Sequence, residues 1–528
     1  MRDAASSVVV LIACCLFVAL GIALASHAGI EYDEALFAGP LYTHRSLFSI
    51  RVFHRDIPLM TMTYLGALKT LLYGPLFKVF PPSLYSVRIP MVLVGAFTIG
   101  LLYHLVRRIA GSWAALIATL LLATDPIFLL TNTFDWGPVA LEHLLLVTGC
   151  LLLVSFAQDK SPSVSRSAQI AAGFFCFGLA LWNKALFFWA LTGLAIGALV
   201  VCSCELRQLF TNRRLAIAAV SFCIGAIPFI IYNLTVPNST LSSSAHFELP
   251  NSNAKLLQLE RALDGSILFG FITAPDDEQL KIPPRDSIAL WITHHLGKHH
   301  KTGTLYAFGF CLLLAPLWWR SRAARFSLMF TAIAWLLMVL TRGAGTGTHH
   351  VVLLWPFPQI FVAATIAGVR WRKVASVAAV GLLALNLLVI SQYFLEFETN
   401  GAGGFFSDAL NNLSEALAVH TKEPVYVTDW GMLNSLRLLQ RGRLDLRDVE
   451  QAFREDHAGA TVQPLVASML ADRNAIFVGH TAGNEVIVGE REGLERQAQR
   501  MGLHKDMVQV IRDSNGRPFF EIFRLAPL

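Results

Sequence analysis

Apolar runs long enough to cross a bilayer recur from residue 7 to residue 394, and nothing else in this chain constrains its fold so strongly. A hydrocarbon core of ~30 Å takes about 20 apolar residues of helix, and only structures that satisfy their own backbone groups persist inside it. Eleven segments qualify, at 7–28, 87–106, 112–131, 137–157, 168–183, 186–204, 215–234, 303–319, 326–341, 349–369 and 374–394. Composition agrees: 55% of the 528 residues are hydrophobic, 15% are charged, and the mean hydropathy is +0.54. Such values belong to a membrane protein.

The first run follows Arg2 and ends near the small residues ALAS, as a signal peptide would, but its apolar stretch exceeds the usual signal core. Under either reading, residue 30 onward emerges on the outside. Alternating spans gather Arg107 and Arg108, Lys160 and Arg166, Arg207, Arg213 and Arg214, Arg320, Arg322 and Arg325, and Arg370, Arg372 and Lys373 on one face. The short loops opposite carry only Lys184 and Arg342. The positive-inside rule makes the basic face cytoplasmic. A multi-pass plasma-membrane protein is expected, with a bacterial inner membrane as the default setting. The net charge of +6 is accounted for by these clusters, and no nucleic-acid-binding signature accompanies it. All eight cysteines fall inside apolar runs and read as small core residues.

Three long segments then face outward: 29–86, 235–302 and everything after 394. The expected architecture is an all-α polytopic membrane domain (1–394) followed by a small extracytoplasmic α/β domain (395–528). In the latter, PVYVTD (424–429) and AIFVGHT (475–481) read as short buried strands. The end, MVQVIRDSNGRPFFEIF, reads as a hairpin turning at Asn515-Gly516.

Polar residues that topology brings to the outer ends of spans are the candidates for chemistry. The stretch GIEYDEALFAG sets Glu31, Asp33 and Glu34 just beyond the first span. Acids at a helix start are favourable, so capping and catalysis are equally compatible with Asp33 and Glu34. Neighbouring helical residues point about 100° apart, so one would act as base while the other orients or binds. Asp135, in TNTFDWGPVA, either caps the fourth span or serves the site. Glu142 and His143, one turn inside that span, read as groups satisfying local hydrogen bonds. Lys184, in LWNKALF, either snorkels or supplies the cation that an anionic phosphate needs. Arg342, His349 and His350 flank the junction of the ninth and tenth spans on the same face. The histidine-rich THHLGKHHKTG (His294, His295, His299, His300) fits an interfacial segment as well as a metal site.

The run SVRIPMVLVGAFTIGLLYHLVRRIAGSWAALIATLLLATDPIFLLTNTFDWGPVALEHLLLVTGCLLL resembles the core of GT-C-fold lipid-linked sugar transferases, in particular the protein O-mannosyltransferase and aminoarabinose transferase group. The resemblance covers about 29–235 and is carried by YDE, RIP, the Pro126-to-Asp135 spacing and GLALWNKALF. HHVVLLWPFPQ is similar to the family's later span, and the C-terminal domain is covered more loosely.

The resemblance implies that Asp33 is the catalytic base, Glu34 its structural or binding companion, and Asp135 a second acid of the site. It implies a polyprenyl-phosphate-linked sugar as donor, lying in a lipid-facing groove among membrane lipid. Its phosphate would meet Lys184, Arg342, His349 or His350, and the sugar would pass with inversion to a hydroxyl or phosphate of a protein, lipid or glycan. No cofactor is required by the pattern, no metal ligand is assigned, and a divalent cation is left open. One departure stands out: relatives carry Lys-Pro-Pro or Lys-Pro in the first outer loop, where this chain reads HRDIPLMTMTYLG, so Arg55 is the expected substitute cation. The rival class is a polyprenyl-lipid transporter or flippase, which favours ionisable groups nearer mid-membrane than these. A noncatalytic receptor would keep Asp33 and Asp135 as caps alone.

Overall fold

The computed structural model describes residues 2–43, 46–159, 164–237, 239–244, 252–276, 282–283, 286–342, 347–453 and 464–528. The expected second outer segment, 235–302, lies partly outside these residues. All eleven expected crossing segments are helical, but they are not eleven uninterrupted helices. Among the described residues, seven helices are long and apolar enough to cross a membrane, or eight if the bent pair Ala185–Val201 and Ser203–Leu209 is one span.

Local chemistry explains the difference. Helix Leu84–Ala123 contains two expected spans joined at Gly111, whose φ of +84° reverses the backbone at no Cβ cost. The second continues into Pro126–Phe134 after a break at Thr124–Asp125, where Pro126 supplies no N–H and Asp125 caps the new helix by accepting from Phe128 N at 2.8 Å. The 303–319 segment divides into Thr304–Leu313 and Ala315–Arg320 just before Pro316.

Helix packing relies on small residues, as it must where lipid is as apolar as the side chains. A Cβ on Gly178 would stand 2.1 Å from Phe222 O, and one on Gly225 2.5 Å from Phe175 O, so helices Val164–Asn183 and Asn212–Thr235 meet backbone to backbone. The basic loops converge at one end: Arg322 Nη1 donates to Glu205 Oε1 (2.6 Å), Gln158 to Arg108 O (2.9 Å) and Arg166 Nη2 to Gln208 (2.7 Å). The polar candidates gather at the opposite end.

There the first outer segment forms a hairpin of β1 (Phe48–Val52) and β2 (Arg55–Met60), then helix Leu68–Val79. It is strapped to the span-five hairpin: Gly66 N donates to Asn183 O (3.2 Å), Ala185 N to Tyr64 O (2.9 Å), and Trp182 Nε1 to Leu59 O (2.8 Å). Only glycine fits at 66, where a Cβ would lie 2.1 Å from Trp182 O.

The last span runs on to Asn400 and leads into the C-terminal α/β domain. Its strands are β3 (Pro424–Val427), β4 (Asp445–Asp448), β5 (Ile476–His480), β6 (Leu503–Arg512) and β7 (Pro518–Pro527). The sheet order is β4-β3-β5-β7-β6, with β3 parallel to β4 and β5 and the remaining pairs antiparallel. Both expected strands are present, and β6 and β7 form the expected hairpin around Gly516, at φ +82°. Val425, Val427, Ile476 and Val478 pack on one face and Tyr426 and Phe477 on the other. A sheet covered on both sides explains the unbroken apolar runs.

Candidate active site

The three acids after the first span have three different environments. Glu31 is buried, and its Oε2 accepts from the backbone N–H groups of Asp33 (2.7 Å) and Glu34 (3.0 Å), closing the turn that presents Asp33. Glu34 is buried in a two-pronged pair with Arg88, Nε to Oε1 and Nη2 to Oε2, both 2.8 Å. Arg88 spends its other N–H groups on Ala25 O (2.7 Å), Ala28 O (2.7 Å) and Gly29 O (2.6 Å). All five guanidinium donors are thereby used, three on backbone carbonyls of the segment that follows helix Arg2–Leu24.

Asp33 is what remains. Its side chain is half-buried and makes no hydrogen bond among the described residues. Burial pushes its carboxyl above the ordinary carboxylate range, and the charge of Lys184 pulls in the other direction.

Asp135 ends helix Pro126–Phe134 in the left-handed region (φ +38°), and Gly137 follows at φ +85°. Its Oδ1 accepts from Ala140 N at 2.9 Å, in the first turn of helix Val139–Gln158, although the residue that caps that helix is Pro138 and not Asp135. Its Oδ2 pairs with Lys69 at 2.9 Å, and Lys69 also donates to Asp135 O at 3.2 Å. Lys69, on helix Leu68–Val79, is buried and lies 5.2 Å from the Phe37 ring centroid. Among the described residues, it is the first-loop cation that reaches the site. Arg55, the expected substitute, is exposed on β2 of the hairpin.

Lys184 is fully buried, with Nζ donating to Gly137 O (2.9 Å) and His349 O (3.0 Å). It therefore knits the loop after Asp135 to the start of the 349–369 span. Burial pushes its pKa down to about 8, against the attraction of Glu142, Asp135 and Asp33. Glu142 accepts from Asn183 Nδ2 at 2.7 Å and His143 Nε2 meets Val352 O at 2.8 Å, so both bond to other spans rather than locally as expected. His349 and His350 stand with ring centroids 4.2 Å apart, and both ring nitrogens of His350 are buried without a hydrogen-bond partner among the described residues. Arg342 is exposed beyond helix Arg322–Leu340.

The C-terminal domain closes on the Asp33 turn. Gly29 N donates to Phe406 O at 2.8 Å, and the Tyr32 and Trp430 rings lie 4.7 Å apart. Trp430 is held by Asp429, whose carboxylate accepts from Trp430 N (2.8 Å), Val486 N and Ile487 N (3.0 Å each), with His480 Nδ1 at 2.7 Å. Burial opposes ionisation of Asp429, but these donors hold its pKa below the ordinary value.

Among the described residues, no three His, Cys, Asp or Glu side chains converge as a metal site would require. In the histidine-rich segment, His295 and His299 contact backbone carbonyls of Trp291 and Leu296, and His300 contacts Glu396 at 2.8 Å.

The site is thus a cluster of half-buried Asp33 with buried Asp135, Glu142, Lys69 and Lys184 beside two histidines, at one end of a helical membrane domain and under an α/β cap. Solved structures show the same arrangement of chain. ArnT from Cupriavidus metallidurans aligns over 99% of this chain and 98% of its own, at 15% identity and a TM-score of 0.58. The chain has the GT-C glycosyltransferase fold. The same enzyme bound to undecaprenyl phosphate aligns over 99% of this chain and 98% of its own, at 16% identity and a TM-score of 0.57. The oligosaccharyltransferase AglB from Archaeoglobus fulgidus, in complex with an inhibitory peptide and a dolichol-phosphate, aligns over 100% of this chain and 74% of its own, at 13% identity and a TM-score of 0.51. Residues 69–232 match the family model of dolichyl-phosphate-mannose-protein mannosyltransferase. No curated protein sequence matches the chain. The GT-C stretch that matches this model opens at Lys69 and contains Arg88, Asp135 and Lys184.

Two side chains that build this candidate site escaped the sequence reading. Lys69 had a signal, a lone cation in the apolar run LGALKTLLYGPLF. Arg88 lay within RIP, a point of resemblance whose role the residues alone did not assign.

Proposed function

We propose that this protein transfers a sugar from a polyprenyl-phosphate carrier to a hydroxyl of a protein, lipid or glycan at the extracytoplasmic membrane face, with Asp33 as general base. The observation that carries the reading is the Asp33 carboxylate, left without a hydrogen bond beside a buried lysine while the acids two residues before and one after are locked in structural roles. The reaction is a single displacement. Asp33 takes the proton of the acceptor hydroxyl as its oxygen attacks the anomeric carbon, and the bond from that carbon to the carrier phosphate breaks. The bond's electron pair leaves with the phosphate, and attack from the opposite face inverts the centre.

Cations held in a buried site favour this charge movement more than they would in water. Lys184 has a third N–H beyond its two carbonyls and is assigned to the departing phosphate, with His349 and His350 beside it. Lys69 takes the place expected of Arg55. Asp135 then sets Lys69 and the 135–140 turn, and Glu34 acts through Arg88 as a positioning residue. Arg55 and Arg342, both exposed, take no part. General-base help of this kind is worth roughly 10²–10⁴ in rate, and the raised Asp33 pKa brings the base nearer to neutral pH.

The test is transfer of labelled sugar from a panel of polyprenyl-phosphate sugars by the purified protein, run beside carrier translocation in proteoliposomes. Sugar appearing on the acceptor with release of polyprenyl phosphate supports transfer. Carrier translocation without transfer from any donor would replace this reading with a flippase.

A further inference from the structure

At the opposite end of the molecule from Asp33 and Lys184, the helices border a cleft of about 370 Å³. That volume falls within the ~300–1,000 Å³ typical of small-molecule sites. Its body is apolar, walled by Leu153, Val154, Phe177, Leu194, Phe326 and Ile360. The elbow after Val201, where the chain bends by 103° into Ser203–Leu209, brings Glu205 to the rim.

The charged residues that line the cleft are Arg108, Glu205 and Arg322, all at the end where the basic loops converge. Two cations face one carboxylate, so the rim carries an excess positive charge. Arg322 Nη1 donates to Glu205 Oε1 at 2.6 Å, which leaves Glu205 Oε2 buried and without a hydrogen-bond donor. The Arg108 guanidinium has no ion-pair partner among the described residues. A long apolar body under a rim where, among the described residues, Arg108 has no ion pair and Glu205 Oε2 no donor matches a lipid whose headgroup is anionic and donates a hydrogen bond.

We propose that this cleft binds an acyl chain of an anionic, hydroxyl-bearing phospholipid of the phosphatidylglycerol type from the leaflet at the basic face, with its phosphate on Arg108 and a headgroup hydroxyl donating to Glu205 Oε2. Phosphatidylcholine lacks the donor, and phosphatidylethanolamine lacks the net charge. A polyprenyl phosphate lacks a headgroup beyond its phosphate. Basic residues at a membrane surface attract anionic lipid in any case, so the decisive element is the cleft, which surface attraction alone does not require.

The test is native mass spectrometry of the delipidated full-length protein titrated separately with palmitoyl-oleoyl phosphatidylglycerol, the phosphatidylcholine and phosphatidylethanolamine of the same chains, and undecaprenyl phosphate. Phosphatidylglycerol is expected to bind about tenfold more tightly than phosphatidylcholine, a difference of ~1.4 kcal/mol. Ala198→Trp, which fills the cleft, and Arg108→Gln, an exposed position, should each remove that preference, with thermal melting to show that the proteins are folded. Equal binding of the two phospholipids by the wild type would overturn the proposal. So would tighter binding of phosphatidylethanolamine or undecaprenyl phosphate, or a preference that survives Arg108→Gln.

Discussion

Arg88→Met probes the scaffold that presents Asp33. The side chain is fully buried and donates five hydrogen bonds, two of them to Glu34. Methionine keeps much of the volume and removes every donor. Stranding one member of a buried ion pair costs about 3–5 kcal/mol, and each carbonyl left buried without a donor adds about 1–3 kcal/mol. These terms share one site and are not additive, so a loss on the order of 5 kcal/mol is expected. The double variant Arg88→Met/Glu34→Met leaves no stranded carboxylate and should recover part of that loss. Thermal melting of the purified full-length proteins reads the stability, and labelled-sugar transfer reads the position of Asp33. Transfer should fall by more than the loss of folded protein, because a shift of about 1 Å in a reacting group costs roughly 100-fold. Wild-type melting in Arg88→Met, or a double variant less stable than the single, would refute this reasoning.

Three further outcomes follow from the same geometry. The kcat/KM for transfer should rise with pH as Asp33 loses its proton, at a pH above the ordinary carboxylate range, and fall above about pH 8 as Lys184 loses its own. A pH profile of Lys184→Arg should lack the alkaline fall, since arginine stays protonated; an unchanged fall would remove Lys184 from the assignment. Lys69→Met strands Asp135 in a buried pair and should cost about 3–5 kcal/mol, a loss that Lys69→Met/Asp135→Asn partly restores in melting experiments. Asp429→Asn should speed hydrogen exchange at Val486 and Ile487 by at least roughly tenfold, because each loses a hydrogen bond to a charged acceptor worth about 1.5–3 kcal/mol; unchanged exchange at both amides would contradict the anchoring role.

What the sequence made legible was whatever depends on local pattern. Span positions follow from runs of apolar residues, and the separation of basic loops from polar candidates follows from where lysine and arginine fall. Strands β3 and β5 and the Asn515-Gly516 hairpin follow from short-range composition. The site itself depends on contacts between distant residues. Glu34 meets Arg88 54 positions away, Lys69 meets Asp135 66 positions away, and Asp125 accepts from Trp355 and Gln359 more than 200 positions away. No periodicity reports such pairs. Arg55 looked suitable because it lies in the right loop, but a β-hairpin holds it in solvent, whereas Lys69 enters the site from the next helix. The interruption at Asp125, inside the expected span 112–131, was hidden among apolar neighbours, whereas the break at Gly111 falls in the gap expected between spans 87–106 and 112–131.

The central claim is that Asp33 removes the acceptor proton. Its most direct test is the transfer rate of Asp33→Asn against wild type under saturating donor and acceptor, with melting measured on the same preparations. Asparagine keeps the shape and removes the base, so the rate should fall by roughly 10²–10⁴ in a protein that melts as the wild type does. An equally stable Asp33→Asn that transfers sugar at the wild-type rate would contradict the account.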